Sequence, residues 1–389
     1  MPVDVTKYLK RELAEVGVPA TRLKPPPIPG LINLGGGDPD FNQPKFIADA
    51  VYKAILEGYT HYTFGGEPTC DLKQAIADYY GQWAKVGDPQ RQVIITSGGS
   101  QGVFQSFAAI LNSGDEVILF DPTYGGYSGP IAFFGGKIVR SPMYKTSEGH
   151  FRPDIEALKT NITPKTKALV LCYPDNPTGC VFTEKEIKAM ADLAKDKGFI
   201  LVLDEIYTEF IWGGRKFTSP LNLPDMEDKT IIVSSFSKNL AWTGCRGGFI
   251  ISGPNLASHI GRVPVGIVSM PVPFQKAAVV ALKQGEEFIK YMRSQYLERV
   301  EYCVKRMNEM PKVKCTFPEA TYYVFPEISA TSLKSADFVT RLVQEMKVWT
   351  VAGITFGPMG EGHVRLALVE PMKVIVDATD RFEMFVKKL

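Results

Sequence analysis

A lysine stands where a buried strand is predicted to end. The apolar run 230–233 is typical of a buried strand, and Ser-Ser-Phe-Ser-Lys at residues 234–238 follows it directly. Lysine is rarely buried without a partner, and a second cation, Arg246, follows Lys238 on the same segment. Desolvation beside another cation disfavours the charged form of an amine, and the neutral amine can form an imine with a carbonyl compound. The segment therefore predicts a nucleophilic lysine.

A glycine-rich segment predicts a site for an anion. Ser-Gly-Gly-Ser-Gln at residues 97–101 follows the apolar run 93–96 and precedes a helical pattern. Small residues at a helix N-terminus let backbone N–H groups approach a phosphate, and the helix dipole favours the negative charge. Hydroxyl groups and the guanidinium of the lysine segment add donors for a dianion. The predicted anion-binding residues are Gly99, Ser100, Gln101, Ser235, Ser237 and Arg246.

A carboxylate also stands at a predicted strand end. The run 200–204 is apolar until Asp204, and a charged group at the mouth of an apolar strand is costly unless it is paired. A pyridinium nitrogen is a suitable partner, because the carboxylate keeps the ring nitrogen protonated and the protonated ring accepts the electrons of a carbanion. The pattern predicts that Asp204 pairs with a cationic group, and such a ring would suit the nucleophilic Lys238 if it also carried a carbonyl group.

These segments follow short apolar runs that alternate with helical patterns. Seven runs are predicted as strands, namely 93–96, 116–120, 137–140, 168–173, 200–204, 231–233 and 249–252. Continuous apolar strands separated by helices indicate a mostly parallel sheet covered on both faces, and ligands bind beyond the carboxyl ends of such strands. From about residue 284, charged helices and predicted strands at 321–325, 349–351 and 363–368 indicate a smaller α+β domain.

In this order, the motifs resemble those of the class I/II aminotransferases, fold-type-I enzymes that use pyridoxal 5'-phosphate (PLP). Besides the lysine segment, the resemblance rests on Leu-Gly-Gly-Gly-Asp-Pro-Asp-Phe (34–41), Asp-Pro-Thr-Tyr (121–124), Asp-Asn-Pro-Thr-Gly (175–179), Asp-Glu-Ile-Tyr (204–207) and Gly-Pro-Met-Gly-Glu-Gly-His-Val-Arg-Leu-Ala (357–367). It extends from about residue 31 to residue 368. It implies transfer of an amino group from an L-amino acid to a 2-oxo acid such as 2-oxoglutarate, in two half-reactions.

The resemblance also implies the fold and its division into domains. The expected architecture is α/β of fold type I, with a large domain whose mostly parallel seven-stranded sheet lies between helices and a smaller α+β domain. The expected boundaries are an N-terminal arm at 1–30, a large PLP-binding domain at 47–283, and a small domain formed by 31–46 and 284–389. The arm includes a predicted amphipathic helix with Val5, Tyr8, Leu9, Leu13 and Val16 on one stripe.

Several site residues receive roles from the resemblance. Lys238 holds PLP covalently and moves the proton of the substrate α-carbon, and Asp204 pairs with the ring nitrogen. Tyr207 and Asn176 bond the phenolic oxygen of the cofactor, and Tyr124 stacks on its ring. The cofactor-binding set is Gly99, Ser100, Gln101, Tyr124, Asn176, Asp204, Tyr207, Ser235, Ser237, Lys238, Arg246 and Tyr62, with Lys238, Asp204 and Tyr207 as catalytic residues.

The resemblance further implies where the substrate binds and that two chains share each site. Gly37 faces the substrate, and Asn176 helps to hold its α-carboxylate. Arg365 grips that carboxylate, because the guanidinium fork matches a carboxylate with two parallel hydrogen bonds. Tyr62, in His-Tyr-Thr at 61–63, reaches the cofactor phosphate of the neighbouring subunit. A homodimer with shared active sites is expected.

Composition excludes several other classes of function. The 389 residues carry 44 basic and 42 acidic side chains without a basic stripe, which gives no reason to expect a nucleic-acid or membrane partner. The six cysteines are scattered and no metal-ligand spacing is present, so that no metal is expected. A charged N-terminus in place of a signal peptide, reduced thiols and the absence of a membrane-spanning run predict a cytoplasmic enzyme.

Substrate choice and reaction type stay open at this level. Some aspartate-specific relatives read the distal carboxylate with an arginine at the position of Val265 or with a lysine at the position of Ser100, and neither cation is present. A neutral or aromatic amino donor is therefore favoured over aspartate, with Arg262 kept as a displaced reader of an acidic group. A PLP-dependent lyase, decarboxylase or synthase uses the same residues. A non-enzymatic PLP-binding regulatory domain is a further alternative.

Overall fold

The computed structural model of the chain describes residues 27–63, 65–266 and 269–389. The predicted helix of the N-terminal arm lies outside the described residues. The strands are β1 (Ile32–Asn33), β2 (Val93–Thr96), β3 (Glu116–Asp121), β4 (Lys137–Lys145), β5 (Phe151–Pro153), β6 (Thr166–Cys172), β7 (Ile200–Asp204), β8 (Thr230–Ser235), β9 (Gly248–Ser252), β10 (Tyr323–Val324), β11 (Val348–Trp349), β12 (Val351–Ala352) and β13 (Val364–Ala367).

Helices connect and cover these strands. The α-helices of the described chain are α1 (Lys45–Leu56), α2 (Thr69–Tyr80), α3 (Pro89–Gln92), α4 (Gly99–Ile110), α5 (Ser128–Phe133), α6 (Ile155–Asn161), α7 (Glu184–Lys197), α8 (Phe236–Asn239), α9 (Pro254–Ile260), α10 (Val272–Gln284), α11 (Glu286–Glu309), α12 (Ser335–Met346) and α13 (Met372–Val386). Their ends follow local chemistry. Helix α7, for example, begins with a capping box between Thr183 and Glu186 and ends at Gly198, whose φ is +78°.

The largest sheet has the strand order β2-β9-β8-β7-β6-β3-β4-β5. Strands β4, β3, β6, β7 and β8 run parallel, whereas β9 is antiparallel to both β8 and β2, and β5 is antiparallel to β4. The seven predicted strands and the mostly parallel α/β architecture are confirmed. The eighth strand, β5, has three residues, too few for a periodic pattern, and it pairs with the part of β4 beyond residue 140.

The parallel strands are buried on both faces, as their continuous apolar sequences predict. In β7, Leu201, Val202 and Leu203 are at most 1% exposed. Val202 belongs to one hydrophobic cluster, and Leu201 and Leu203 belong to another, because alternate side chains of a strand point to opposite faces of the sheet. Helix α7 covers the second of these faces with Ile187 and Met190. Burial on both faces leaves the strand ends as the place for polar side chains.

The strand register brings three of those ends together. Cys172 at the end of β6 pairs with Asp204 at the end of β7, and Asp204 pairs with Val233 of β8. The chain then enters the short helix α8 directly after β8. Ser235 begins this helix, and its hydroxyl oxygen accepts a hydrogen bond from the backbone N–H of Ser237. The end of β7 and the lysine segment are therefore neighbours at one edge of the sheet.

Two smaller sheets lie in the C-terminal third of the chain. Strands β10, β13 and β12 form an antiparallel sheet, and β1 pairs with β11 in parallel. The strands predicted at 321–325 and 363–368 correspond to β10 and β13. The single strand predicted at 349–351 was wrong, because the residues on either side of Thr350 pair with different partners: β11 with β1, and β12 with β13.

A separate hydrophobic cluster accompanies these small sheets. It joins Ile32 and Leu34 to the second half of α11, to α12 and to α13, through residues such as Val300, Phe338 and Phe382. The first half of α11 belongs to the large cluster instead, with Met292 and Tyr296. The predicted domain boundaries stay a prediction. Among the described residues, no helix has the length and apolar character required to cross a membrane.

Candidate active site

A cavity of about 850 Å³ opens where the carboxyl ends of the strands meet the small sheets. Its lining combines residues from the strand ends with residues from both ends of the chain. The predicted site residues that line it are Gly37, Gly99, Ser100, Tyr124, Asn176, Asp204, Tyr207, Ser235, Ser237, Lys238, Arg246 and Arg365. Segments separated by up to 330 residues of sequence are thus in contact, as between Gly35 and Arg365.

Lys238 lies in helix α8 and lines the cavity. Its Nζ donates a hydrogen bond of 2.5 Å to the carbonyl oxygen of Gly37. The hydroxyl of Tyr322 donates to the same carbonyl oxygen at 3.2 Å. A Cβ atom at Gly37 would lie 2.0 Å from the Tyr323 hydroxyl, so that only glycine fits between the lysine and this tyrosine. The glycine segment and the lysine segment, predicted separately, form one side of the cavity.

Asp204 is buried and has one carboxylate oxygen available. Its Oδ2 accepts a hydrogen bond of 3.0 Å from the hydroxyl of Tyr127, whereas its Oδ1 has no hydrogen-bond partner among the described residues. Burial raises the pKa of Asp204 to about 6, against the opposing effects of the Tyr127 hydroxyl and the positive charge of Lys238. A buried carboxylate oxygen without a partner fits the protonated ring nitrogen of PLP, which would supply the missing donor and charge.

The anion-binding segment surrounds the N-terminus of helix α4. Gly98, at the N-cap, has φ +87° and contributes no side-chain cap. A Cβ atom there would lie 2.5 Å from Nη2 of Arg246, so that the glycine allows the guanidinium to approach the helix end. Arg246 itself has φ +54°, and its Nη1 donates to the backbone carbonyl of Thr243 at 2.8 Å. A helix N-terminus, a guanidinium and the hydroxyls of Ser235 and Ser237 fit the phosphate of PLP.

Arg365 lies in strand β13 and lines the same cavity. Its Nη1 donates to Oδ1 of Asn176 at 3.0 Å, and its Nη2 donates to the carbonyl oxygen of Gly35. Its Nε has no partner among the described residues. The guanidinium also lies 4.4 Å from the ring of Tyr323. The side chain is therefore fixed in place, charged and able to accept a carboxylate.

Two tyrosines contribute the remaining polar groups. The hydroxyl oxygens of Tyr207 and Tyr323 lie 3.0 Å apart, and burial raises the pKa of Tyr207 well above its usual range. Tyr124 also lines the cavity, with its ring edge-to-face against Tyr127 at 5.2 Å between centroids. A Cβ atom at Gly126 would lie 2.3 Å from the Tyr124 ring, which therefore requires a glycine beneath it.

Two predicted cofactor residues lie outside the lining of this cavity. The side-chain oxygen of Gln101 accepts a hydrogen bond from the backbone N–H of Ser97, which places it within the turn before α4. Tyr62 is 73% exposed in the single chain. Arg262, considered as a reader of an acidic substrate, is also exposed and is not among the described lining residues.

Several lining residues were missed by the sequence analysis. Tyr127, Cys172, Tyr323, Trp349 and Phe356 all line the cavity. Cys172 carried a signal, because it lies at a strand end beside Asp204. The other four have apolar or aromatic side chains that a sequence does not distinguish from core residues. Among the described residues, no group of His, Cys, Asp and Glu side chains is arranged to hold a metal ion.

Comparison with known proteins identifies the group to which this chain belongs. The family model "Aminotransferase class I and II" matches residues 29–377. The chain is 34% identical to an aromatic-amino-acid aminotransferase of Thermococcus litoralis, over 93% of each chain. It is 34% identical to an aspartate aminotransferase of Pyrococcus horikoshii, over 91% of this chain and 90% of the relative.

A solved structure agrees with these sequence matches. The aromatic aminotransferase of Pyrococcus horikoshii superposes with a TM-score of 0.86 at 32% identity, covering 92% of this chain and 96% of that one. The fold is therefore that of the fold-type-I enzymes, which use PLP. The chain belongs to the class I and II aminotransferase family, and it is a PLP-dependent aminotransferase.

Proposed function

We propose that Lys238, Asp204 and Tyr207 are the catalytic residues of this aminotransferase and that Arg365 binds the α-carboxylate of its substrates. The observation that carries the proposal is that Lys238, Asp204 and Arg365 line one cavity although they come from three distant segments. When bound, PLP supplies a ring that accepts the electron pair left behind as the substrate α-carbon loses its proton. The protein supplies the charges and the proton transfer.

Each residue has a task that its contacts support. Lys238 Nζ, in hydrogen-bond contact with Gly37, is placed to take the proton from the substrate α-carbon as a general base. Asp204, whose Oδ1 has no partner among the described residues, would keep the ring nitrogen protonated. Tyr207 and Asn176 bond the phenolic oxygen of the cofactor. Arg365 orients the substrate, since its guanidinium is already fixed by Asn176 and Gly35.

The phosphate is proposed to bind at the N-terminus of helix α4. Arg246 supplies the positive charge, and Gly98, which has no Cβ, allows its guanidinium to approach the helix end. Tyr124 is proposed to stack on the cofactor ring, with Gly126 providing the space beneath it. The residues in this part of the proposal are Gly99, Ser100, Gln101, Tyr124, Ser235, Ser237, Arg246 and, from the neighbouring chain, Tyr62.

A neutral or aromatic amino donor is proposed in preference to aspartate. Among the described residues that line the cavity, the cations are Lys238, Arg246 and Arg365. Each already has a proposed role, in proton transfer, phosphate binding and α-carboxylate binding respectively. The rest of the lining is rich in aromatic side chains, including Phe104, Phe133, Tyr323, Trp349 and Phe356. An aspartate side chain would enter without a cation to pair its charge, which opposes its desolvation.

A cytoplasmic homodimer with shared active sites is part of the same proposal. The exposed ring of Tyr62 supports it, because a tyrosine that binds the cofactor phosphate of the neighbouring subunit must be accessible on the surface of the single chain. The proposed division into a large domain at 47–283 and a small domain at 31–46 and 284–389 is supported by the separate cluster around β11, β13 and α12.

One single-turnover experiment tests the proposed function. A good amino donor added to the PLP form without any 2-oxo acid is expected to convert the cofactor to its amine form once, in stoichiometric amount. Subsequent addition of 2-oxoglutarate should regenerate the aldehyde form. A panel of aromatic, neutral and acidic donors under the same conditions ranks the substrates. Repeated release of ammonia and an oxo acid with no amine form would instead indicate a lyase.

A further inference from the structure

Tyr127 contacts two of the residues proposed to hold the cofactor ring. It lies in the turn before helix α5, and its side chain is completely buried. Its hydroxyl donates to Oδ2 of Asp204 at 3.0 Å, and its ring meets that of Tyr124 edge-to-face. One side chain therefore supports both the carboxylate proposed for the ring nitrogen and the aromatic ring proposed to stack on the cofactor.

The direction of this hydrogen bond leaves Asp204 with a defined free oxygen. Burial raises the pKa of Tyr127 well above its usual range, so that the phenol stays protonated and acts as the donor. Oδ2 of Asp204 is then occupied, and Oδ1, which has no partner among the described residues, is the oxygen available to a ligand. A donor to an ionised carboxylate also stabilises its charged form relative to the neutral acid.

We propose that Tyr127 is a positioning residue of the cofactor site, whose hydroxyl orients the Asp204 carboxylate toward the cofactor ring nitrogen and holds it in the charged form. The inference rests on the proposed role of Asp204. Tyr127 acts through this carboxylate and through the Tyr124 ring rather than on the substrate.

Other charged or titratable groups also face Asp204 and can affect its charge state. They are Cys172 from β6, Glu205 beside it in the chain, Tyr80 from α2 and Lys238 from α8. Burial raises the pKa of Glu205 to about 8 and that of Cys172 well above its usual range, so that both are largely neutral at pH 7. Of the side chains in the described part of the chain that favour the charged form of Asp204, the Tyr127 hydroxyl is the one in direct hydrogen-bond contact.

Tyr80 provides a matched control. It is also a buried tyrosine, and its hydroxyl donates to the buried carboxylate of Glu205, the residue that follows Asp204. Tyr80→Phe and Tyr127→Phe thus each delete a tyrosine hydroxyl that donates to a buried carboxyl group, and the two carboxyl groups belong to consecutive residues. Tyr80 is not among the described residues that line the cavity. A general effect of losing a buried hydroxyl should appear in both variants.

The experiment measures binding rather than turnover. Pyridoxamine 5'-phosphate has the ring nitrogen of PLP but no aldehyde, so that its affinity does not depend on a covalent bond to Lys238. Its dissociation constant for the apoenzyme is measured by fluorescence quenching between pH 5 and pH 9 for the wild type, Tyr127→Phe, Tyr80→Phe and Asp204→Asn. Thermal unfolding of each variant checks that it is folded.

The expected result is that the curve of affinity against pH shifts in Tyr127→Phe and stays in place in Tyr80→Phe. As pH falls, Asp204 takes up a proton, and the neutral acid binds the protonated ring nitrogen less well. In Tyr127→Phe this loss of affinity is expected at a pH higher by about one to two units, the shift that corresponds to removing one hydrogen bond to a charged acceptor. Tyr80→Phe should follow the wild-type curve, and Asp204→Asn should lack this step.

The possible outcomes separate this inference from the assignment of Asp204. If Asp204→Asn keeps the wild-type pH dependence, Asp204 does not pair with the ring nitrogen, and both proposals are refuted. If Asp204→Asn loses it but Tyr127→Phe titrates like the wild type or like Tyr80→Phe, the role of Tyr127 alone is refuted. Should Tyr127→Phe fold poorly, Tyr127→3-fluorotyrosine keeps the ring and strengthens the donor. It is expected to shift the step to lower pH, and an unshifted curve would overturn the inference.

Discussion

Replacing Arg365 with alanine is expected to weaken substrate binding much more than cofactor binding. In the free site the guanidinium already donates to Asn176 and Gly35, and Nε is the donor without a partner among the described residues. A substrate carboxylate therefore gains about one charge-assisted hydrogen bond beyond those already present, through Nε. At roughly 1.5–3 kcal/mol for a hydrogen bond to a charged group, the donor concentration for half-maximal single-turnover rate should rise about 10- to 150-fold.

The assay is stopped-flow absorbance of the cofactor after mixing with an aromatic L-amino acid in the absence of a 2-oxo acid. The parallel substrate is the corresponding amine that lacks the α-carboxylate. Wild-type enzyme should prefer the amino acid, and Arg365→Ala should lose most of that preference, because the carboxylate is the part of the substrate that the guanidinium is proposed to bind. Arg341→Ala serves as the control variant, since Arg341 pairs with Glu345 on an exposed helix surface.

An unchanged preference for the carboxylate in Arg365→Ala would refute the reasoning. A loss of PLP affinity equal to the loss of substrate affinity would refute it as well, because the guanidinium would then support the whole cavity. Thermal unfolding distinguishes the second result from global destabilisation, which is a concern because Arg365 also lies against the rings of Tyr323 and Phe356.

Three further predictions follow from the same cavity. Borohydride reduction of the PLP form is expected to place the pyridoxyl group on Lys238 in peptide maps, and Lys238→Ala should retain noncovalent PLP while losing turnover; a label on another lysine contradicts the assignment. Gly37→Ala should impair the enzyme because the new Cβ would lie 2.0 Å from the Tyr323 hydroxyl, and Tyr323→Phe should restore part of the loss if that contact is the cause. Asp204→Asn should lower the transamination rate by orders of magnitude. In the apoenzyme, Asp204→Asn should also stabilise the fold more at pH 8 than at pH 4.5. Burial raises the pKa of Asp204 to about 6, so the folded wild type binds more protons than its unfolded state between about pH 4 and pH 6. The wild type therefore loses stability as pH rises through that window, and the variant, which lacks the carboxylate, does not. Urea unfolding at the two pH values measures the difference, and equal stabilisation at both would contradict it.

The site residues were predictable where a charged side chain follows the end of an apolar strand. Asp204 and Lys238 each follow an apolar run, where a charged side chain has no packing explanation. Arg365 and Gly37 had no such local signal and were identified through the resemblance of their segments to a family. Tyr127 was missed, because a buried tyrosine in a turn has the same appearance in a sequence whether it packs in a core or bonds a catalytic carboxylate.

The fold was predictable where a strand has a distinctive sequence of its own. Strands buried on both faces have continuous apolar sequences, so that the seven strands were recognised. Strand β5 was missed, and 349–351 was assigned as one strand, because short strands are defined by their partners rather than by their own sequence.

The sequence by itself determined the order of the elements, the residue types at the strand ends and hence the kind of chemistry. Local periodicity and the cost of an unpaired charge are properties that each segment carries alone. Only the tertiary structure decided which groups meet: that Lys238 contacts the carbonyl of Gly37, that Arg365 is held by Asn176, and that Tyr127 bonds one oxygen of Asp204. These contacts join residues far apart in the chain, and they depend on strand register and close packing, which no single segment encodes.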